Sequence, residues 1–169
     1  MLGRRHYRIK VLQALYAWFQ GGEPRVEVAE RNLLKSIDKV YELYYLQISF
    51  FLELIHFYRY RMEESKNKFY PTAQEINPSL KLFNNRIIVA LQQNKELADI
   101  LASYRFSWTE EQDMVRKAYQ KLKSMKEYTE YIASERDDFA EDQEFAEKFF
   151  RKSVARLADI QYYCEERSI

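Results

Sequence analysis

Four basic side chains near the beginning of the chain are the residues best suited to bind a charged ligand. No acidic residue occurs before Glu23, and the charged side chains in this stretch are Arg4, Arg5, Arg8 and Lys10. A cation in the first turns of a helix is unfavourable by ~0.3–1 kcal/mol, because the helix dipole already places positive charge there. Guanidinium groups suit phosphate oxygens and base edges. The cluster therefore indicates an external anion.

The distribution of charge along the chain leaves two interpretations of this cluster. The net charge is only +1, which argues against a protein that binds polyanions over its whole surface. Residues 127–147 carry nine acids against one base, Arg136. On composition alone, two explanations of the arginines are equally good. One is an RNA contact; the other is a solvated basic end or salt bridges to this acidic stretch.

No residues in the sequence have the types and spacing of a catalytic or metal site. His6 and His56 are far apart, and Cys164 has no second cysteine beside which to bind a transition metal. Gly21-Gly22 follows a predicted helix, whereas a phosphate-binding loop precedes one. We expect Glu53, between two leucines, to pair with a cation or reach solvent, and His56 to be a core histidine. The sequence predicts a binding protein rather than an enzyme, with no metal and no cofactor.

The composition also bears on localisation. A lone Cys164 excludes a disulfide within the chain and fits a reducing compartment. The most apolar run, residues 43–58, includes Gln47, Glu53 and His56, and it is too short and too polar to span a bilayer. We therefore expect a cytoplasmic protein.

The basic cluster lies at the start of a predicted helix over residues 3–20. Its larger apolar residues recur at intervals of three and four, which is typical of one helical stripe; they are Ile9, Leu12, Leu15, Tyr16 and Phe19. Gly21 and Gly22 should end this helix. Residues 26–66 contain neither Gly nor Pro and predict a long second helix, with room for a break near Ser49.

The middle of the second helix, residues 43–58, is apolar on nearly every side. Such a helix must be covered on every side, so it is either the centre of the fold or part of an oligomer interface. An ordered loop is predicted over 67–79, anchored by Phe69, Tyr70 and Ile76.

Further helices are predicted over 79–104, 107–126, 128–134 and 142–166, the second of them begun by a capping box at Ser107. No segment alternates with a period of two, so no sheet is expected. The predicted fold class is all-α, with one or more bundles of about five to seven helices and a long, aromatic-rich central helix.

The first helix resembles that of the NusB family of transcription antitermination factors. The resemblance is carried by Arg4, Arg5 and Arg8 in register with the stretch Gln-Ala-Leu-Tyr-Ala-Trp from Gln13 to Trp18. The motifs Asn67-Lys68, Pro71-Thr72-Ala73 and Ile76-Asn77-Pro78 resemble enlarged homologues of the Bacteroidetes type, which carry a long insertion. On this resemblance residues 1–169 are the N-terminal portion of a NusB-like domain, with about 67–140 as the insertion.

The resemblance implies an all-α fold of two helical bundles and a role in antitermination. The partners it implies are boxA-like single-stranded RNA, the small ribosomal protein NusE and the elongating RNA polymerase complex. The residues that would lie on RNA are Arg4, Arg5, Arg8, Lys10, Gln13 and Tyr16. Leu12, Leu15 and Trp18 would be packing residues.

One departure from the family pattern leaves a second interpretation open. NusB proteins end in a helical half with an Asn-Glu pair and a Phe-Val-Asn-Gly-Val-Leu stretch, and neither occurs here. The chain is then either a fragment that stops at Ile169 or a diverged member, and much of the NusE contact surface lies on that half. The alternative function is a helical interaction or scaffold module without RNA binding, whose working surface is residues 43–58; a homodimer is a further candidate.

Overall fold

In a computed structural model of the chain, the structure describes residues 3–22, 25–66 and 79–166. Every regular element in these ranges is helical and none is a strand, which confirms the all-α prediction. The predicted loop 67–79, with its anchors Phe69, Tyr70 and Ile76, lies outside the described residues except for its last position.

Nine α-helices and one π-helical turn make up the described part of the chain. They are α1 Arg4–Gly21, α2 Val26–Lys66, α3 Lys81–Asn84, α4 Arg86–Gln93, α5 Lys95–Tyr104, α6 Gln112–Ser124, α7 Lys126–Ala133, α8 Phe139–Phe150, the π turn Arg151–Ala155 and α9 Ala158–Glu166. The helices are more numerous than predicted, because two of the predicted helices are interrupted.

Two asparagines divide the predicted helix 79–104 into three. The Asn85 side-chain oxygen accepts hydrogen bonds from the backbone N–H groups of Ile87 and Ile88, at 3.0 and 3.2 Å, and so caps α4. Asn94 caps α5 in the same way, by accepting from the Leu97 N–H at 2.9 Å. Asparagine is among the best N-cap residues, so each one starts a new helix.

Two other predicted boundaries differ from the structure. The capping box at Ser107 does not form, since α6 begins only at Gln112 and has no side-chain cap. The predicted last helix, 142–166, is interrupted by the π turn, although the side chains of Phe145, Phe149 and Val154 are buried as expected.

The chain divides into two compact units, the first within Met1–Tyr44 and the second within Tyr45–Ser168. In its described residues, the first unit is a hairpin of α1 and the beginning of α2. Gly22 ends α1 in the left-handed conformation with φ of 63°, which glycine adopts without a steric penalty. The helix α2 contributes to both units and has no break near Ser49.

The second unit has its core on α2. Leu46, Phe50, Leu54 and Ile55 are fully buried there, and Phe51 packs its ring against Phe149 at 4.9 Å. Most of the run 43–58 is therefore buried or half-buried within the chain, as the first of its two interpretations predicted, although Tyr44 is 54% exposed. Little of the run is exposed, and the alternative function that uses it as a working surface stays a prediction.

The expectation that His56 is a core histidine is wrong, because its side chain is exposed. Among the residues that the structure describes, no helix combines the length and the hydropathy that a membrane span requires.

Candidate nucleic-acid interface

The helix α1 begins at its basic cluster without any of the usual stabilising groups. Its N-cap is Gly3, which provides no side-chain hydrogen bond, and its first turn contains no acid. Arg4, Arg5 and Arg8 are exposed. Within the described hairpin none of them forms an ion pair. The positive end of the helix dipole, open backbone N–H groups and three guanidinium groups thus coincide.

The acidic stretch 127–147 has basic partners of its own inside the second unit. Arg86 forms ion pairs with Asp137 and Asp142, both at 2.8 Å, and Lys81 pairs with Glu141 at 2.9 Å. Further pairs join acids of this stretch to bases within the same unit: Glu127 to Lys152, Glu130 to Lys126, Asp138 to Arg136, Glu144 to Lys148 and Glu147 to Arg151.

These ion pairs also lower the pKa of some of the acids. The hydrogen bond from Lys152 lowers the pKa of Glu127, and the one from Lys148 lowers the pKa of Glu144. An arginine of α1 is therefore not needed to neutralise them. The interpretation of the basic cluster as a structural salt-bridge partner for this stretch loses its main support.

The side of α1 that faces away from α2 carries both charge and apolar surface. Arg5, Arg8, Leu12 and Tyr16 follow one another at intervals of three or four along this side. Leu12 is 69% exposed and Tyr16 67% exposed. The expectation that Leu12 is a packing residue is therefore wrong, and Leu15, 44% exposed, is also uncovered.

The side of α1 that packs on α2 includes Lys10, Ala14 and Trp18, the three residues of this helix that are half-buried. Ala14, Ala17 and Trp18 line a groove of about 270 Å³ with residues of α2, among them Val28, Ala29 and Asn32. The seam therefore runs along this row rather than along the bulky stripe from Ile9 to Phe19. Trp18 is half-buried as expected.

The indole N–H of Trp18 carries a cost at this seam. It is buried and has no hydrogen-bond partner among the described residues. A buried donor of this kind costs about 1–3 kcal/mol.

A pair of tyrosines joins the two helices of the hairpin. The phenol oxygens of Tyr7 and Tyr41 lie 3.1 Å apart. Nothing in the spacing of the sequence points to this pair, because the residues are 34 positions apart. It holds the first turn of α1, and with it the arginines, against α2.

The six residues expected on RNA do not share one side of α1. Arg5, Arg8 and Tyr16 lie together on the outward side, and Gln13, three residues before Tyr16, lies at the rim of the groove. Lys10 is half-buried toward α2 and stands apart from the others. Phe19 was not expected in this group, but it is 76% exposed and extends the outward surface by one turn.

Comparison with known proteins adds no assignment. No protein-family model matches the chain, and neither a curated protein nor a solved structure matches it. Within the described ranges no group of three or more histidine, cysteine or acidic side chains is placed to hold a metal ion.

Proposed function

We propose that the chain is an RNA-binding regulator of transcription elongation that resembles NusB, and that α1 contacts boxA-like single-stranded RNA. One observation carries the proposal: the arginines of α1 are exposed and unpaired in the hairpin, while eight of the nine acids of 127–147 have other bases as partners. A helix that begins with three unpaired arginines is destabilised by its own dipole, and a bound polyanion removes that penalty.

Two kinds of side chain on α1, basic and aromatic, would contact the RNA. Arg4, Arg5 and Arg8 supply charge and guanidinium donors for phosphates, and the open N–H groups of the first turn add to them. Tyr16 lies eleven residues beyond Arg5, or about 16 Å along the helix axis, and offers an exposed ring on which a base can stack. NusE and the elongating polymerase complete the proposal as protein partners.

The test is a fluorescence anisotropy titration of the chain against a short boxA-like single strand at several salt concentrations. With three or four phosphate contacts, the logarithm of affinity should fall with the logarithm of salt with a slope of roughly −2 to −3. A strand of the same composition in scrambled order is the control for sequence preference. If neither strand shows salt-dependent binding, RNA is excluded as the ligand. If both strands bind equally, a preference for the boxA sequence is excluded.

A further inference from the structure

One residue that lines the groove between α1 and the beginning of α2 has a polar atom without a partner. The groove has a volume of about 270 Å³, and Trp18 forms part of its lining. The indole N–H of Trp18 is buried and donates to no described residue. Nearly all buried donors in folded proteins have a partner, so this one indicates an acceptor that comes from a ligand. The atom is closed to solvent in the free chain, so such an acceptor reaches it with a small movement of the surrounding side chains.

The remaining lining of the groove combines apolar walls with two amide side chains. Gln13 on α1 and Asn32 on α2 are both exposed, one on each helix. Neither amide is hydrogen-bonded to another described residue, and each offers two N–H donors and a carbonyl acceptor. The walls beside them are formed by Ala14, Ala17, Val28 and Ala29. Apolar walls with a few polar groups are typical of small-ligand sites.

A row of polar residues on α1 joins the groove to the basic start of the helix. His6, Lys10 and Gln13 recur at intervals of four and three, so they lie along one edge of the helix. Lys10 lies about 4.5 Å along the axis from Gln13, and it forms no ion pair within the described hairpin. A half-buried lysine keeps its ammonium group at the surface. The groove therefore adjoins positive charge, which favours an occupant attached to an anionic backbone.

We propose that this groove is a specificity pocket for one pyrimidine base of a single-stranded RNA. The proposal rests on the RNA-binding function proposed above and adds a site that reads the base. The two faces of the base contact the apolar walls, and its polar edge meets the amides of Gln13 and Asn32. A carbonyl oxygen of the base accepts the hydrogen bond from the Trp18 indole. Lys10 binds the adjoining phosphate.

Both the size of the groove and its buried donor favour a pyrimidine over a purine. Ligand pockets have volumes of about 300–1,000 Å³, so a groove of about 270 Å³ suits one ring better than two. An indole N–H only donates, and therefore needs an acceptor such as a carbonyl oxygen. Uracil and cytosine carry a carbonyl oxygen on their single ring. Adenine carries none, and guanine carries one on a larger, two-ring base.

The first test follows the indole N–H directly, because the chain contains only two tryptophans. In a proton–nitrogen correlation spectrum of the isotope-labelled whole chain, each indole gives one signal. Trp108 donates to the Ser49 hydroxyl at 2.9 Å and serves as the internal reference. A short oligouridylate should shift the Trp18 signal and leave the Trp108 signal in place. An oligoadenylate of the same length should shift the Trp18 signal much less.

The second test separates base contacts from phosphate contacts by anisotropy titrations at several salt concentrations. Gln13→Ala and Asn32→Leu, both at exposed positions, should each weaken oligouridylate binding by about fivefold or more, as for a lost base contact. Trp18→Phe, which keeps an aromatic ring but removes the N–H, should have a similar effect. The slope of affinity against salt should stay the same in all three variants, because no phosphate contact is lost.

The matched control is Gln20→Ala, which removes an exposed amide of α1 outside the groove lining and should retain full affinity. Equal shifts of the Trp18 signal with both oligonucleotides overturn the preference for a pyrimidine. Salt-dependent RNA binding without a Trp18 shift, or with full affinity in Gln13→Ala and Asn32→Leu, overturns the pocket and leaves the RNA-binding proposal standing. Absence of binding to every RNA strand overturns both proposals.

Discussion

Tyr7 and Tyr41 share a hydrogen bond of 3.1 Å between their phenol oxygens, and this bond ties the start of α1 to α2 within the hairpin. The hydrogen bond to Tyr41 raises the pKa of Tyr7, because it stabilises the neutral phenol. The arginines proposed to bind RNA lie in the same turns of α1. The orientation of the basic cluster therefore depends on an uncharged contact beside it.

Removal of this contact should loosen α1 without unfolding the second unit. We expect Tyr7→Phe to speed amide hydrogen exchange in α1 by about two- to fivefold, since a net hydrogen bond at an exposed site contributes about 0.5–1 kcal/mol. Mass spectrometry of exchanged peptides measures this. Tyr16→Phe is the control, because its hydroxyl forms no hydrogen bond with another described residue. Equal exchange in the two variants would mean that the tyrosine pair does not hold the helix.

Replacement of the arginines should separate binding from stability. Arg4→Ala, Arg5→Ala and Arg8→Ala together should leave the melting temperature unchanged or slightly higher, because an unfavourable interaction with the helix dipole is removed. The same variant should lose most RNA affinity, and the slope of affinity against salt should flatten by about two. Anisotropy and thermal melts measure the two effects.

The control for this variant removes the same charge elsewhere. Lys95→Ala, Lys121→Ala and Arg156→Ala together change three exposed bases of the second unit and should retain both affinity and slope. RNA binding that survives in the α1 variant with its slope intact would place the RNA site on another surface.

The buried centre of α2 should tolerate truncation poorly. Phe51 is 2% exposed and contacts the rings of Phe149 and Phe150 at 4.9 and 5.8 Å. Phe51→Ala should therefore cost about 3–5 kcal/mol in the free energy of unfolding, measured in urea. Tyr60→Ala, at an exposed position of the same helix, should change it by no more than about 0.5 kcal/mol. A small effect at Phe51 would mean that the covering helices pack loosely.

The two asparagine caps should contribute differently to the free energy of unfolding. Asn85 is buried, donates to the Tyr131 hydroxyl and to the Asp142 carbonyl, both at 3.0 Å, and also caps α4. Asn85→Ala should cost ~2–4 kcal/mol, because buried groups lose their partner in addition to the cap. Asn94→Ala removes an exposed cap and should cost ~1 kcal/mol. Similar losses in urea unfolding would assign the Asn85 effect to capping alone.

Alkaline pH should destabilise the second unit through a buried tyrosine pair. The hydroxyl groups of Tyr58 and Tyr128 lie 2.6 Å apart, and burial raises the pKa of both. A raised pKa means that the folded state keeps protons that the unfolded state releases. Stability is therefore complete below the usual tyrosine pKa of about 10 and declines as pH rises above it.

The urea midpoint should accordingly fall between about pH 9 and pH 11, and Tyr128→Phe should reduce this pH dependence. Phenolate absorbance should rise together with the loss of helical circular dichroism. Ionisation of these tyrosines in a chain that stays helical would contradict the expected coupling.

Burial was predicted best from the sequence in a helix that is apolar on all sides, where it does not matter which side packs. Residues 43–58 are apolar all round, so any packing arrangement covers most of them. On α1 the stripe from Ile9 to Phe19 has the same spacing as the row Lys10, Ala14 and Trp18, and periodicity alone does not tell which row packs. The structure packs the second row on α2, where Lys10, Ala14 and Trp18 are half-buried.

The candidate site was predictable only in part. The position of the arginines at the start of α1 follows from the sequence, since Gly21-Gly22 marks the other end of that helix. Whether the acids of 127–147 neutralise them follows only in part: Lys126 and Lys148 pair with nearby acids, but Lys81 and Arg86, which pair with three more, come from a distant part of the chain. The two helix starts at Asn85 and Asn94 could have been predicted, because asparagine is a strong N-cap residue and both lie within one apolar helical pattern.

The way α2 is covered also has a consequence for how the chain folds during its synthesis. Tyr58 meets Tyr128, which is added to the chain 70 residues later. At about 5–20 residues per second, that interval lasts roughly 4–14 s. Throughout it, the apolar run 43–58 has been made while α7 and α8, which help to bury it, have not. Chaperone capture of the nascent chain should therefore be concentrated in this window and should end as α7 and α8 emerge from the ribosome.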